Sequence, residues 1–189
     1  MVPSREEAIQ LLEEGNVMNP GPWREHSLVV AECAYKIASK CGDMDKEKSY
    51  VLGLLHDIGR RFGVTDFAHL IDGYNFLKEL GYMEAARICV THSFPIKDIN
   101  NYIGKFDVSY LDKKIISDLL DSYEYDDYDK LIQLCDSIAM PTGPVDITIR
   151  MNDVKSRYGS YPQNKWDKNI EIKNYFEKKI GKTIAEVVS

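Results

Sequence analysis

The sequence predicts an all-α fold, a single compact helical bundle. Apolar residues recur at spacings of three and four through most of the chain, and the two-residue alternation of half-buried strands is almost absent. Helix-capping and helix-ending residues stand at the edges of these patterns.

Ser4 with Glu7 three residues later is a capping-box pattern, and it opens a short helix over 4–14 with Ala8, Leu11 and Leu12 on one stripe. The break Asn19-Pro20-Gly21-Pro22 follows. Pro22 then starts a second helix that runs through His26, Val29, Val30, Cys33 and Ile37 to about residue 40. A third rises from residue 45 through Tyr50, Val51, Leu54 and Leu55 to His56-Asp57, with Gly59 and Gly63 placed as residues just beyond a helix end. Six further helical patterns cover 66–80, 83–91, 109–120, 128–139, 145–157 and 167–179. The acids and tyrosines of 121–130 read as a solvated loop, since they lack the glycine-containing ligand spacing of a calcium loop. Trp166 reads as an anchor for the last helix.

A chain of 189 residues fits one domain, and 44% hydrophobic with 29% charged residues is the composition of a globular protein. The net charge of −6 argues against a broad basic surface for long nucleic acid, yet leaves room for a small anionic substrate met by a local positive site. No run of about 18 apolar residues and no leader-like segment occurs, so a cytoplasmic protein that neither spans nor anchors in a membrane is expected. Cys33, Cys41, Cys89 and Cys135 show no C-x-x-C spacing, and free thiols are expected rather than disulfides or a cysteine-bound zinc.

The four histidines, at 26, 56, 69 and 92, all lie on or beside apolar helical stripes. A buried imidazole must satisfy two ring nitrogens, so each needs a hydrogen-bond partner or a metal. His56-Asp57 follows the apolar run 51–55, and Asp136 interrupts the equally apolar 131–139. Buried acids need pairing or a cation, and two of them with several imidazoles suit one divalent ion.

With these residues in order, the sequence resembles the HD-domain superfamily of metal-dependent phosphohydrolases: a histidine, a His-Asp pair and a distant aspartate, here His26, His56-Asp57 and Asp136. Leu54-Leu55-His56-Asp57-Ile58-Gly59-Arg60 matches that superfamily's most specific segment. The resemblance extends through Gly21-Pro22-Trp23, Asp72-Gly73-Tyr74 and Thr91-His92-Ser93 to Arg157-Tyr158-Gly159. It implies a helical HD-domain bundle over 1–189, with a core of about 22–160 and the terminal helices packed on it.

Many members carry two further histidines in the interval that His69 and His92 occupy. The resemblance then implies that Asp57 bridges two ions, that His26, His56 and Asp136 complete the first, and that His69 and His92 hold the second. The alternative for His69 and His92 is to orient substrate without touching metal. One or two divalent ions among Mn, Fe, Co, Ni, Zn and Mg suit this thiolate-free set. Such ions make hydroxide available near neutral pH and polarise a phosphoryl oxygen. Asp57 is the expected mechanistic centre.

Arg60 and Arg61 are candidates for gripping phosphate, with Arg60 also a candidate catalytic residue; capping of a helix C-terminus is the alternative for both. Trp23 is a candidate pocket residue or a core aromatic. Ser93 beside His92 is a candidate substrate contact, and Arg150 is either that or a solvent-facing helix residue. The expected partner is a small phosphorylated, nucleotide-like substrate. Two other functions share the ligand set: a di-iron oxygenase, since some relatives activate oxygen, and a metal-stabilised sensor or interaction domain without catalysis.

Overall fold

Ser4 accepts the Glu7 N–H at 3.2 Å while the Glu7 carboxylate accepts the Ser4 N–H at 2.8 Å, and this box starts α1 (Arg5–Met18). The computed structural model describes residues 1–189. α1 runs four residues beyond its expected end and stops at the Asn19-Pro20-Gly21-Pro22 break. Pro22 then precedes α2 (Trp23–Ala38), and the Asp45 carboxylate caps α3 (Lys46–Leu55) by accepting the Glu47 and Lys48 N–H groups. α2 and α3 approach closely at Gly53, where an added Cβ would lie 2.9 Å from the Ala31 Cα.

The backbone leaves the α conformation at Asp57 (φ −104°, ψ 14°) and tightens into a 3-10 turn, Ile58–Phe62. Gly59 follows the end of α3, as expected, and lies inside this turn, where a Cβ would stand 2.0 Å from the His69 carbonyl oxygen. Glycine is there so that the turn can touch the next helix. Gly63, at φ 151°, closes the turn.

Next come α4 (Ala68–Glu79), α5 (Met83–Thr91), a one-turn 3-10 segment at Ile99–Asn101, α6 (Tyr110–Ser122) and α7 (Asp127–Asp136). A small antiparallel hairpin of β1 (Ala139–Met140) and β2 (Gly143–Pro144) pairs Ala139 with Pro144 and Met140 with Gly143. The chain finishes with α8 (Ile147–Tyr158), α9 (Gln163–Ile180) and α10 (Ile184–Val188).

The fold is all-α, as the periodicity predicts. Strands of two residues are too short to carry an alternation signal, so the hairpin had no trace in the sequence. α10 has five residues, too few for a stripe, although its Thr183–Glu186 capping box was there to be read. The acidic run at 121–130 is not a loop throughout. α6 reaches Ser122 and α7 begins at Asp127, with Asp126 as its cap. Within that run Asp129 is fully buried, bound by both Arg87 and the Thr91 hydroxyl at 2.7 Å.

One hydrophobic cluster of 42 buried residues extends from Ala8 to Val188, so the terminal helices share the core of the central ones. Lys36 of α2 donates to the Val188 and Ser189 carbonyls at 2.8 and 2.9 Å and ties down the last helix. All four cysteines are buried and unpaired. No helix is long and apolar enough to cross a membrane.

Candidate metal centre

Helix ends converge on one space. His26 lies in the first turn of α2 and His69 in that of α4; His56 and His92 directly follow α3 and α5; Asp136 ends α7; Asp57 begins the 3-10 turn. His26, His56 and Asp57 bring ligand atoms within 4.8 Å of one another, and so do Asp57, His69 and His92. Asp57 belongs to both groups. Asp136 belongs to neither, and its Oδ1 instead lies 3.0 Å from His26 Nε2.

Three of the imidazoles are locked in one orientation from behind. His56 Nδ1 lies 2.7 Å from the Gly53 carbonyl, His92 Nδ1 lies 3.0 Å from that of Ile88, and His69 Nδ1 meets that of Asp66. A carbonyl oxygen only accepts, so each Nδ1 carries the proton and each neutral ring turns a lone pair forward on Nε2. These forward nitrogens face acceptors. His69 Nε2 lies 3.2 Å from Asp57 Oδ1, His92 Nε2 lies 3.7 Å from the same oxygen, and His56 Nε2 lies 3.9 Å from Oδ2.

His56 Nε2, His69 Nε2, Asp57 Oδ1 and His26 Nδ1 are all buried without a hydrogen bond. Orphaned buried acceptors of this kind are uncommon in folded proteins and call for a specific cause. Lone pairs converging on lone pairs, with no proton between them, fit a divalent cation. The carbonyl contacts are what metal-binding histidines ordinarily show on their second nitrogen.

Charge states agree with this geometry. Burial pushes His56 down to about 4 and His69 down to about 3, and also lowers His92, so the rings are neutral at physiological pH. Burial alone would raise Asp57, but Arg60 first and then the imidazoles outweigh it and hold the carboxyl well below the usual range. Asp136 is likewise held low: the His26 hydrogen bond and the nearby imidazoles overcome its burial.

His26, Asp57, His69, His92 and Asp136 form the floor of a cavity of about 420 Å³, with His56 buried outside its lining. Arg60 lines it, with Nε 2.7 Å from Asp57 Oδ2 and Nη1 3.1 Å from the Thr65 carbonyl. Trp23 lines it too, its indole N–H donating to the Asn19 carbonyl at 2.8 Å. Arg150 is not the solvent-facing residue of the alternative reading; it faces the cavity with Nη1 2.9 Å from Asp153. Ser93 is at the wall, and its carbonyl holds Lys165.

Arg61 is a correction. It does not line the cavity: its guanidinium carbon sits 4.0 Å from the Phe76 ring centroid and Nη2 lies 3.2 Å from Met18 Sδ. Successive residues of a 3-10 turn point about 120° apart, so Arg60 and Arg61 cannot both reach one phosphate.

Sequence reasoning missed Lys165, Tyr102 and Tyr161 on the cavity wall, and it named Arg157, which also lines the cavity, only within the resemblance. Lys165 precedes the helix expected from residue 167; in the structure α9 starts earlier and Lys165 occupies its first turn, where a cation opposes the helix dipole. Burial pushes its ammonium down to about 8, with Asp136 acting the other way. The anchor role of Trp166 takes the form of an edge-on contact with the Tyr161 ring, 5.6 Å between centroids.

The family model for the HD domain matches residues 23–140, more than half of the chain, and contains all six converging histidines and aspartates. No curated protein and no solved structure matches the chain. The chain therefore belongs to the HD-domain family, whose superfamily comprises in general metal-dependent hydrolases.

Proposed function

We propose that this HD-domain protein is a metal-dependent phosphohydrolase that cleaves a phosphate ester or anhydride of a nucleotide or similar small molecule. The observation that carries the reading is the convergence of unprotonated imidazole nitrogens on Asp57, inside a cavity lined by four cationic side chains and only two carboxylates. On a chain of net charge −6 that is a local reversal of sign, and it suits an anionic substrate.

His26, His56 and Asp57, with Asp136 alongside, would hold one divalent ion; Asp57, His69 and His92 would hold a second. Such ions supply an activated water near neutral pH and polarise the phosphoryl oxygen. Asp57 fixes the site from both sides and can accept a hydrogen bond from the attacking water. Arg60 uses two of its five N–H donors on Asp57 and Thr65, which leaves three to grip phosphoryl oxygens. The organic part of the substrate would lie against Trp23, Tyr102 and Tyr161, and the cavity volume falls in the range typical of small-molecule sites.

The test is a phosphate-release screen over nucleoside mono-, di- and triphosphates and cyclic nucleotides, with the protein loaded with each candidate metal and assayed with and without oxygen. Oxygen-independent phosphate release is the expected result. Oxygen uptake without phosphate release would identify the di-iron oxygenase instead, and inertness of the metal-replete protein would identify a binding domain.

A further inference from the structure

Lys165 is only 7% exposed, and no carboxylate lies within ion-pair distance of its ammonium. An ammonium in such a place is costly, and the position in the first turn of α9 adds to the cost. Two contacts hold it: Nζ donates to the Ser93 carbonyl at 2.8 Å and to the Asn101 carbonyl at 3.3 Å. An ammonium has three N–H groups, so one remains unassigned, and the side chain borders the cavity above the metal centre.

Its place is fixed relative to that centre, because Ser93 directly follows His92. Lys165 also lies outside residues 23–140, the part that matches the family model. The matched part contributes the converging ligands and Arg60; α9 adds a separate cation from the opposite end of the sequence.

We propose that Lys165 is a phosphate-binding residue: the Ser93 and Asn101 carbonyls aim its ammonium so that the remaining N–H donates to an oxygen of the substrate's phosphoryl group. The proposal rests on the phosphohydrolase reading above. Arg60 and Lys165 then hold the anion from two sides, one reaching from the 3-10 turn and the other from α9.

The experiment titrates inorganic phosphate calorimetrically into the full-length, metal-loaded protein, comparing wild type with Lys165→Met and Lys165→Arg. Metal stoichiometry and thermal unfolding are measured alongside. Loss of one charge-assisted hydrogen bond should weaken phosphate binding about 10- to 100-fold in Lys165→Met, with metal content unchanged. Lys165→Arg should recover part of the affinity, which a purely structural role would not produce. If Lys165→Met does not fold, Lys165→Gln keeps a neutral N–H donor for the two carbonyls and should show the same loss. Phosphate binding as tight as wild type in a folded, charge-free variant overturns the assignment of Lys165 alone. Absence of phosphate binding by the loaded wild type overturns the phosphohydrolase reading, and the assignment with it.

Discussion

At residue scale, the decisive contact lies behind three of the four imidazoles rather than in front of them. The Gly53, Asp66 and Ile88 carbonyls take the Nδ1 protons of His56, His69 and His92, and Nε2 is left as an acceptor facing Asp57. Asp57 is common to both ligand groups, so Asp57→Ala should reduce bound metal and activity together, turnover falling at least about 100-fold, since even outer partners of such ligands are worth 10- to 100-fold. Elemental analysis and turnover on the same preparation check this; full metal content with wild-type turnover would refute it.

The same burial sets a pH dependence. His56 and His69 have folded-state values near 4 and 3, below the unfolded value of 6.5, so the unfolded chain binds protons that the folded chain does not. Their contribution is fully present above about pH 6.5 and is lost as the pH falls toward 4 and then 3. Asp57 and Asp136 are depressed as well, so their contribution also fades on acidification, at still lower pH. Denaturant titrations of metal-free protein between pH 7 and 4 should therefore show stability falling, with uptake of at least about two protons on unfolding near pH 5, His56 and His69 giving two and the lowered His92 adding to them. A flat profile would contradict the burial of these rings.

At the scale of elements, the site is a meeting of helix ends, and two contacts make the meeting possible. Gly59 lets the 3-10 turn touch the carbonyl of His69. In Gly59→Ala the new methyl group would meet backbone at 2.0 Å, which no side-chain rotation relieves. That substitution should cost about 3 kcal/mol or more and lower metal affinity by moving Asp57 away from His69. Thermal unfolding and metal titration measure the two effects. The second contact is the Arg87–Asp129 pair, which joins α5 to α7 and so sets His92 relative to Asp136. Arg87→Met would leave the buried Asp129 without its countercharge, held only by the Thr91 hydroxyl and the Asp126 N–H, at a cost of about 3 kcal/mol. Chemical denaturation reads this directly, and a change below about 1 kcal/mol would show that the pair is dispensable.

How much of this was legible follows from the range of each signal. The nine longer helices and the ligand residues were readable because period, caps and rare polar residues on apolar stripes are local facts. His56-Asp57 and Asp136 stood out for that reason. Lys165 did not, because its meaning depends on Ser93, 72 positions earlier, and on how α9 docks. Arg61 misled because the sequence does not show that the chain tightens to a 3-10 turn after Asp57. Asp129 misled because its partner Arg87 is 42 positions away, so an acidic run read as solvated contains a fully buried acid.

At the scale of the whole molecule, an acidic protein keeps a positive cavity and, on its floor, a buried group of acceptors that repel one another. The fold without a cation pays for that arrangement, so metal binding should stabilise it. An ion at about a thousand times its dissociation constant adds about 4 kcal/mol to folding stability. The most direct test of the claim that these side chains share divalent ions is elemental analysis of protein purified without chelator, then loaded with each candidate metal and desalted. About two ions per chain are predicted, one for each ligand group that contains Asp57. A properly folded chain that retains no ion from any of these metals would contradict the account.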